Sequence, residues 1–395
     1  MIGLVVCMGL QFVPFLFTYS TPDLPLELPS ASRAAFEQAH DHLAPLIQSR
    51  MFRRGLALLT LVVVLLSGVL RWEERRFGHT PWRWPARLLL FVALFCWFRV
   101  TAYPFSYFAF MHDRAFDLTP MTGAQWWMTE AKGTLVPFIM FMLRCVLLFC
   151  LMAVSGKRWW WVAVWSMFLL FHVVPEKVSR TQPIDPVEVL TPLPEGEIRT
   201  QFEGLAEQTG RDLELVMVDE SKRSRRLNMA LTGRLGREYV LVTDTLLDQL
   251  TPAEARVMLA HELGHDVTRR FTVPARWALS FAGTLLAFWL VYRWYRRRAI
   301  PEVEIPTALV RLMLVSMLVG YVSTPLKAAV NRYQEREADA YAVELTQDPK
   351  ALQSLLLTLA EVNLEPYDVP GWAFYLYGST HPTLKQRLEA AERWK

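Results

Sequence analysis

Long apolar stretches dominate the chain and alternate with shorter polar segments. A helix needs about 20 predominantly apolar residues to cross the hydrocarbon core of a bilayer, and seven stretches approach that length. Trp and Tyr cluster at many of their ends, which is typical of the headgroup level. The pattern predicts seven transmembrane helices, at about Ile2–Phe17, Gly55–Leu70, Leu88–Phe110, Thr134–Val154, Trp159–Val174, Trp277–Trp294 and Ala308–Thr324.

The polar segments carry their own secondary-structure signals. Ser30–Arg54 mixes apolar and charged residues at helical spacing, which predicts an amphipathic helix outside the membrane. Pro194–Gly210 also predicts an amphipathic helix, and Leu213–Val218 and Tyr239–Thr243 predict strands. The segment from Leu326 to Lys395 is polar and mostly helical in pattern. The predicted fold class is therefore mainly α, a seven-transmembrane-helix bundle with an α+β domain that carries a small sheet.

Composition supports a membrane protein. Hydrophobic residues make up 53% of the chain, and there are 15 Trp among 395 residues. The net charge of +4 comes from Arg spread beside apolar runs, so it favours contact with the lipid bilayer and gives no sign of nucleic-acid binding. All four cysteines lie in apolar runs, which argues against a disulfide framework in the polar parts and favours a reducing compartment for them.

The pentapeptide from His261 to His265 is the strongest chemical signal. It follows Thr251-Pro252-Ala253-Glu254, a capping box with Pro at the first helical position, so it lies on a predicted helix. Two imidazoles four residues apart share one helical face and can bind one metal ion, usually Zn²⁺. Glu262 points at the same ion and can act as a general base. The spacing predicts a hydrolytic zinc site.

A catalytic zinc needs a third protein ligand and one position open to water. Glu335 and Asp339 lie four residues apart, on one face of a predicted helix, whereas Glu337 points elsewhere. Glu335 is the candidate third ligand, and Asp339 can hold the outer nitrogen of a ligating His. Taken alone, this segment is also compatible with a charged, solvated helix.

Several motifs in order resemble one family, the integral-membrane zinc metalloproteases that include the CAAX prenyl endoprotease, the a-factor-converting enzyme. Five predicted spans precede the zinc helix and two separate it from the Glu ligand, as in that family. The motifs are Thr191-Pro192-Leu193-Pro194-Glu195-Gly196-Glu197, Ser221-Lys222-Arg223-Ser224 with Asn228 and Gly233, Asp244-Thr245-Leu246-Leu247, Arg332-x-x-Glu335 with Ala338-Asp339, and Ser379-Thr380-His381-Pro382 with Arg387.

The resemblance implies a gluzincin-like zinc endopeptidase that cleaves prenylated CAAX-type or other membrane-associated peptides, with one Zn²⁺ per chain. It implies an edge strand near Asn228 that receives the substrate as an added strand. The implied roles are zinc ligation by His261, His265 and Glu335, general base catalysis by Glu262, orientation of a ligand by Asp339, and oxyanion stabilisation by His381 and Arg387.

With the span pattern, these motifs divide the chain into four parts. They are a five-span membrane region (1–175), a zinc-protease domain (176–272), a membrane hairpin (273–325) and a C-terminal helical part that completes the site (326–395). An even number of crossings in the hairpin returns the zinc helix and the C-terminal part to the same side of the membrane.

Three other functions fit part of the pattern. An intramembrane-cleaving zinc protease would carry the motif within an apolar span, but Asp266, Arg269 and Arg270 follow it here. A quality-control metalloprotease of the four-span type would have two spans before the motif. A membrane scaffold with a structural zinc would need four protein ligands, and no fourth is obvious besides His381.

The side of the membrane on which the site lies is predicted differently by two signals. Short loops opposite the zinc domain are rich in Arg and Lys, which the positive-inside rule assigns to the cytoplasm. The resemblance implies a cytoplasmic zinc domain, and the absence of cysteine there agrees with it; we expect a cytoplasmic site. Arg99 and Arg144 lie inside apolar runs, and the resemblance implies that they line a chamber between the helices.

Overall fold

Four helices form the amino-terminal part of the computed structural model, which describes residues 24, 30–168, 191–234, 237–297, 305–368 and 379–394. They are α1 (Ser30–Leu66), α2 (Val69–Phe77), α3 (Arg83–Ala115) and α4 (Gly123–Phe168). The first predicted span, about Ile2–Phe17, lies outside the described residues, as do residues 169–174 of the fifth. Helix α4 runs without a break through the fourth predicted span and the start of the fifth.

Helices long and apolar enough to cross a membrane number two among the described residues, or up to four if each of two bent pairs is one span. The two are α3 and α7 (Pro252–Arg297). The bent pairs are α1 with α2, at 48°, and α8 (Ile305–Val322) with α9 (Thr324–Thr346), at 46°. The described part is thus a largely helical membrane protein, and the number seven remains a prediction.

The helix with the His-Glu-x-x-His motif does not end at the predicted edge of its domain. Helix α7 continues through residue 272 into the sixth predicted span, with Pro274 inside it. Likewise, the predicted amphipathic helix Ser30–Arg54 and the second predicted span share the single helix α1. The polar domain and the membrane part are therefore joined by continuous helices rather than by loops at these two points.

A small sheet packs beside the motif helix. Its strands are β1 (Thr191–Pro192), β2 (Leu213–Val218), β3 (Met229–Arg234) and β4 (Arg237–Thr243), in the order β1-β2-β4-β3. Strands β2 and β4 are parallel, whereas β1 pairs with β2 and β3 pairs with β4 antiparallel. The other elements are α5 (Glu197–Thr209), α6 (Asp244–Leu247), α10 (Pro349–Asn363) and α11 (Leu384–Glu392).

Strand β3 was not among the strands that the hydrophobic pattern predicts, and it forms one edge of the sheet. Its sequence includes Gly233 and lacks the continuous β-branched pattern of β4, so its local strand propensity is weak. Helix α7 begins where the capping box predicts: the Thr251 backbone N–H donates to Glu254 Oε2 over 2.8 Å. The buried core of this domain joins the sheet to α7, α9 and α10.

Candidate active site

The two motif histidines meet Glu335 where α7 crosses α9. Nε2 of His261 lies 3.5 Å from Glu335 Oε2, and Nε2 of His265 lies 3.7 Å from Glu335 Oε1. Ligands at about 2.0–2.1 Å around a tetrahedral zinc are separated by about 3.4 Å, so this spacing fits Zn²⁺. Within the described part of the chain, this group of three ligand atoms, all within 4.8 Å of one another, is the candidate metal site. Two imidazoles and one carboxylate are a donor set typical of catalytic zinc.

Close contact between the two helices depends on Gly264, which lies between the histidines on α7. A Cβ atom at this position would lie 2.9 Å from Ala338 Cα and 3.2 Å from Tyr341 Cβ on α9. Both neighbours are small or rigid at the point of contact, so neither can move without shifting the helix. The glycine therefore sets the distance at which Glu335 reaches the histidines.

We expect Gly264→Ala to destabilise the protein and to lower its affinity for zinc. The added methyl group forces α7 and α9 apart, and overpacking of this kind costs about 1–3 kcal/mol. Thermal unfolding and zinc titration of the purified variant measure both effects. Gly204→Ala on α5 is the matched control: no atom lies within 4 Å of a Cβ there, so equal destabilisation by both changes would contradict this packing argument.

Asp339 lies one helical turn after Glu335, behind His261. Its Oδ1 is 2.9 Å from His261 Nδ1, the ring nitrogen that faces away from Glu335. The side chain of Arg387 holds the same carboxylate: Nε donates to Oδ2 over 2.8 Å and Nη2 donates to Oδ1 over 2.7 Å. Burial raises the pKa of Asp339, but Arg387 and His261 outweigh it and hold the pKa at about 2. A charged Asp339 thus fixes the orientation of the His261 ring.

Arg387 therefore contacts a different group from the one implied by the resemblance. Two of its guanidinium nitrogens are used by Asp339, although the residue also lines the cavity at the site. The contact makes Arg387 a positioning residue for Asp339 and, through it, for His261. Sequence spacing did not indicate this pair, because 48 residues separate the two side chains.

Electrostatics differ between the two histidines in the metal-free site. Burial lowers the pKa of His261, but hydrogen bonds to Asp339 and Glu335 raise it to about 9. Burial and the nearby His261 lower the pKa of His265 to about 4. Burial raises the pKa of Glu335, yet its contacts with His261 and His381 leave that pKa well below its usual value. A negative Glu335 between two imidazoles favours a bound cation.

Glu262 lies in the same cavity as the metal-site residues, without being one of the three grouped ligands. Burial raises its pKa, and the nearby His261 opposes that shift. Its carboxylate accepts a hydrogen bond from the backbone of Leu231, on β3. The raised pKa gives the carboxylate a greater affinity for a proton, which suits a general base. The contact with Leu231 also ties the candidate base to the edge strand.

His381 approaches the site from the segment before α11. Its Nδ1 lies 3.1 Å from Glu335 Oε2, and the contact raises its pKa, against the effect of burial. Arg332 on α9 donates to the backbone oxygen of Ser379 over 2.8 Å and so fixes the start of this segment. His381 is therefore at the site but is not part of the grouped ligand atoms among the described residues.

Asn228 stands immediately before β3 and lines the same cavity as His261 and Glu262. Its backbone is engaged by β4: the Asn228 N–H donates to Thr243 Oγ1 over 3.1 Å, and the Thr243 hydroxyl donates to Asn228 O over 2.9 Å. Asn363, which the sequence did not single out, holds the preceding residue Leu227. An Asn at the end of a helix reads as an ordinary cap, so no local signal indicated this contact.

The cavity at the site has a volume of about 350 Å³. Leucines of α10 form one wall, and the metal-site residues form another. Of the two membrane arginines, Arg99 donates to Glu130 over 2.7 Å and to Thr134 over 2.5 Å. The side chain of Arg144 lies outside the described residues, so a chamber-lining role for either arginine stays a prediction.

Comparison with known proteins was made for the whole chain. Residues 192–395 match peptidase family M48, and residues 17–176 match the family described as CAAX prenyl protease N-terminal, five membrane helices. The chain is 27% identical over 351 residues to the protein named uncharacterized metalloprotease YhfN of Bacillus subtilis, with 84% of this chain and 79% of the relative covered. It is 26% identical over 356 residues to CAAX prenyl protease 1 homolog of Arabidopsis thaliana, with 83% and 80% covered.

The fold also matches a solved structure. The crystal structure of S. mikatae Ste24p superimposes with a TM-score of 0.76 at 21% identity, covering 98% of this chain and 96% of that chain. The likeness includes the membrane helices as well as the domain with the small sheet. It extends the similarity in sequence to a similarity in architecture over nearly the whole chain.

Proposed function

This chain belongs to peptidase family M48, and we propose that His261, His265 and Glu335 hold one Zn²⁺ with which it hydrolyses peptide bonds. It is an integral-membrane metalloprotease of the CAAX prenyl endoprotease type. The observation that carries the zinc proposal is the meeting of these three ligand atoms within 4.8 Å. When bound, zinc lowers the pKa of a coordinated water to about 7 and polarises the scissile carbonyl.

In this proposal each residue of the chain has one task. Glu262 accepts a proton from the attacking water and delivers it to the leaving amine. Asp339, held by Arg387, keeps His261 in the orientation that presents Nε2. His381 has a raised pKa, so its protonated ring is available to donate to the oxyanion. The edge strand β3, next to Asn228, pairs with the backbone of the substrate, which makes recognition tolerant of sequence.

The substrates we propose are membrane-associated peptides, with prenylated CAAX-type peptides as one class. The test uses purified protein, a farnesylated peptide and its unmodified twin. Cleavage of either peptide that is lost on chelation and restored by Zn²⁺ supports the proposal, and faster cleavage of the farnesylated form assigns the prenylated class. Failure to cleave either peptide, with zinc bound, contradicts the proposed activity.

We propose that the catalytic domain faces the cytoplasm, and we keep the four-part division of the chain with the site built from 176–272 and 326–395. The absence of cysteine in these segments favours a reducing compartment. A reporter fused after Lys395 decides the side, because the site and the carboxyl end follow the same hairpin. Activity of a reporter that works only outside the cytoplasm would contradict this orientation.

A further inference from the structure

A second cavity, of about 390 Å³, lies between α1, α3, α4 and the loop before β3. It is separate from the cavity at the metal site and is unusually basic. We name it the arginine pocket, after four of the side chains that line it: Arg50 and Arg53 on α1, and Arg223 and Arg226 on the loop.

The acidic groups that face this pocket are already paired. Glu130 accepts from Arg99 over 2.7 Å, and Asp113 contacts both His42, at 2.7 Å, and Arg226, at 3.1 Å. Outside the pocket, Glu220 pairs with Arg223 over 2.8 Å.

The two α1 arginines differ from the loop arginines. Arg50 and Arg53 make no ion pair within the described part of the chain. Arg50 is also close enough to Arg53 and Arg226 to be repelled by their charges. The pocket therefore holds uncompensated positive charge, which an anion with several acceptor oxygens would neutralise.

The arginine pocket lies a short distance along the same surfaces as the catalytic cavity. On α1, Leu43 lines the catalytic cavity and Arg50 lines the arginine pocket, and seven residues of helix correspond to about 10 Å. On the loop, Arg226 precedes Asn228 by two residues. A third cavity that shares Arg226 with one and Asn228 with the other connects them. An extended peptide covers about 10 Å with three residues.

The free edge of β3 also ends at this point. The carboxamide of Asn363 takes both backbone groups of Leu227: its Oδ1 accepts from the Leu227 N–H over 2.8 Å, and its Nδ2 donates to Leu227 O over 3.2 Å. A substrate strand can therefore pair with β3 from Met229 onward but not with Leu227. Added antiparallel, the more common arrangement, its carboxyl end leaves the edge at Met229, on the side of Arg226.

We propose that the arginine pocket binds the terminal carboxylate of the substrate, and so selects peptides whose scissile bond lies about three residues from a free carboxyl end. This inference rests on the proposed endopeptidase function. It makes the pocket a determinant of specificity, since an internal peptide segment or an amidated end cannot supply the charge.

The test compares two peptides of one sequence, one ending in a free carboxylate three residues after the cleaved bond and one ending in an amide. Because hydrogen bonds to charged groups contribute strongly, we expect the wild-type protein to cleave the carboxylate form about tenfold more efficiently in kcat/KM. In Arg50→Gln/Arg53→Gln the ratio should fall toward one. Arg54→Gln, an exposed neighbour on the same helix that does not line the pocket, should keep the wild-type ratio.

Three outcomes would overturn the assignment of the pocket while leaving the proposed function intact. One is a ratio of one in the wild-type protein, and another is an equal loss on both peptides in the double variant. The third is an effect of the double variant that appears only in nanodiscs with anionic lipid, which would assign the pocket to a lipid phosphate. No cleavage of either peptide by zinc-loaded wild-type protein would overturn the function and the pocket together.

Discussion

We expect Glu262→Gln to abolish peptide cleavage while the protein keeps its zinc. The change removes the group that takes the proton of the attacking water, and general base catalysis contributes about 10²–10⁴-fold to such a reaction. Glu262 is not among the grouped ligand atoms, so metal content should stay at the wild-type level. The measurement is kcat/KM on one peptide, with zinc content determined on the same preparation.

The variant should also fold as well as the wild type. Burial raises the pKa of Glu262, so the folded protein disfavours its charge, and a neutral amide of the same shape relieves that cost. An unchanged or higher temperature of unfolding would then separate lost chemistry from lost structure. Glu337→Gln, at an exposed position of α9, is the control and should keep wild-type activity. An undiminished rate in Glu262→Gln would refute the assignment of the base.

Local patterns predicted the parts of the fold that depend on neighbouring residues. Strand β2 has the bounds that its apolar run predicts, Leu213–Val218, and α7 begins at the predicted capping box. The spacing of His261 and His265 places them on one helical face, and their rings are 4.7 Å apart between centroids. Each of these features is determined within one or two helical turns or a single strand.

Contacts between distant segments were accessible only where a resemblance supplied them. The edge strand near Asn228 is an example, since β3 has weak strand propensity and forms at the edge of the sheet beside β4. The pair of Arg387 with Asp339 and the grip of Asn363 on Leu227 had no such guide, because residues 48 and 136 positions apart meet only in the folded chain. The continuous α7 was missed because the change from polar to apolar residues at its middle resembles a domain boundary.

Removing the carboxylate of Glu335 should have the largest effect on the metal. In Glu335→Ala the two histidines remain on α7, but a site with two protein ligands binds zinc far more weakly than one with three. Loss of a group that only supports a ligand already costs about 10–100-fold in affinity, so loss of the ligand itself should cost more. After dialysis against a mild chelator, we expect the variant to retain little zinc and no peptidase activity, whereas the wild type retains one zinc per chain.

Glu337→Ala provides the matched control for this prediction, since Glu337 is two residues away on α9 and its side chain is exposed. It should keep full zinc content, because its position on the helix faces away from His261 and His265. The alanine at 335 also removes a buried acceptor, so Glu335→Gln, which keeps the shape of the side chain but lacks its charge, serves as a second variant. If both variants at 335 retained full zinc while Glu337→Ala lost it, the third ligand would be Glu337. The meeting of α7 and α9 at Gly264 would then need another explanation.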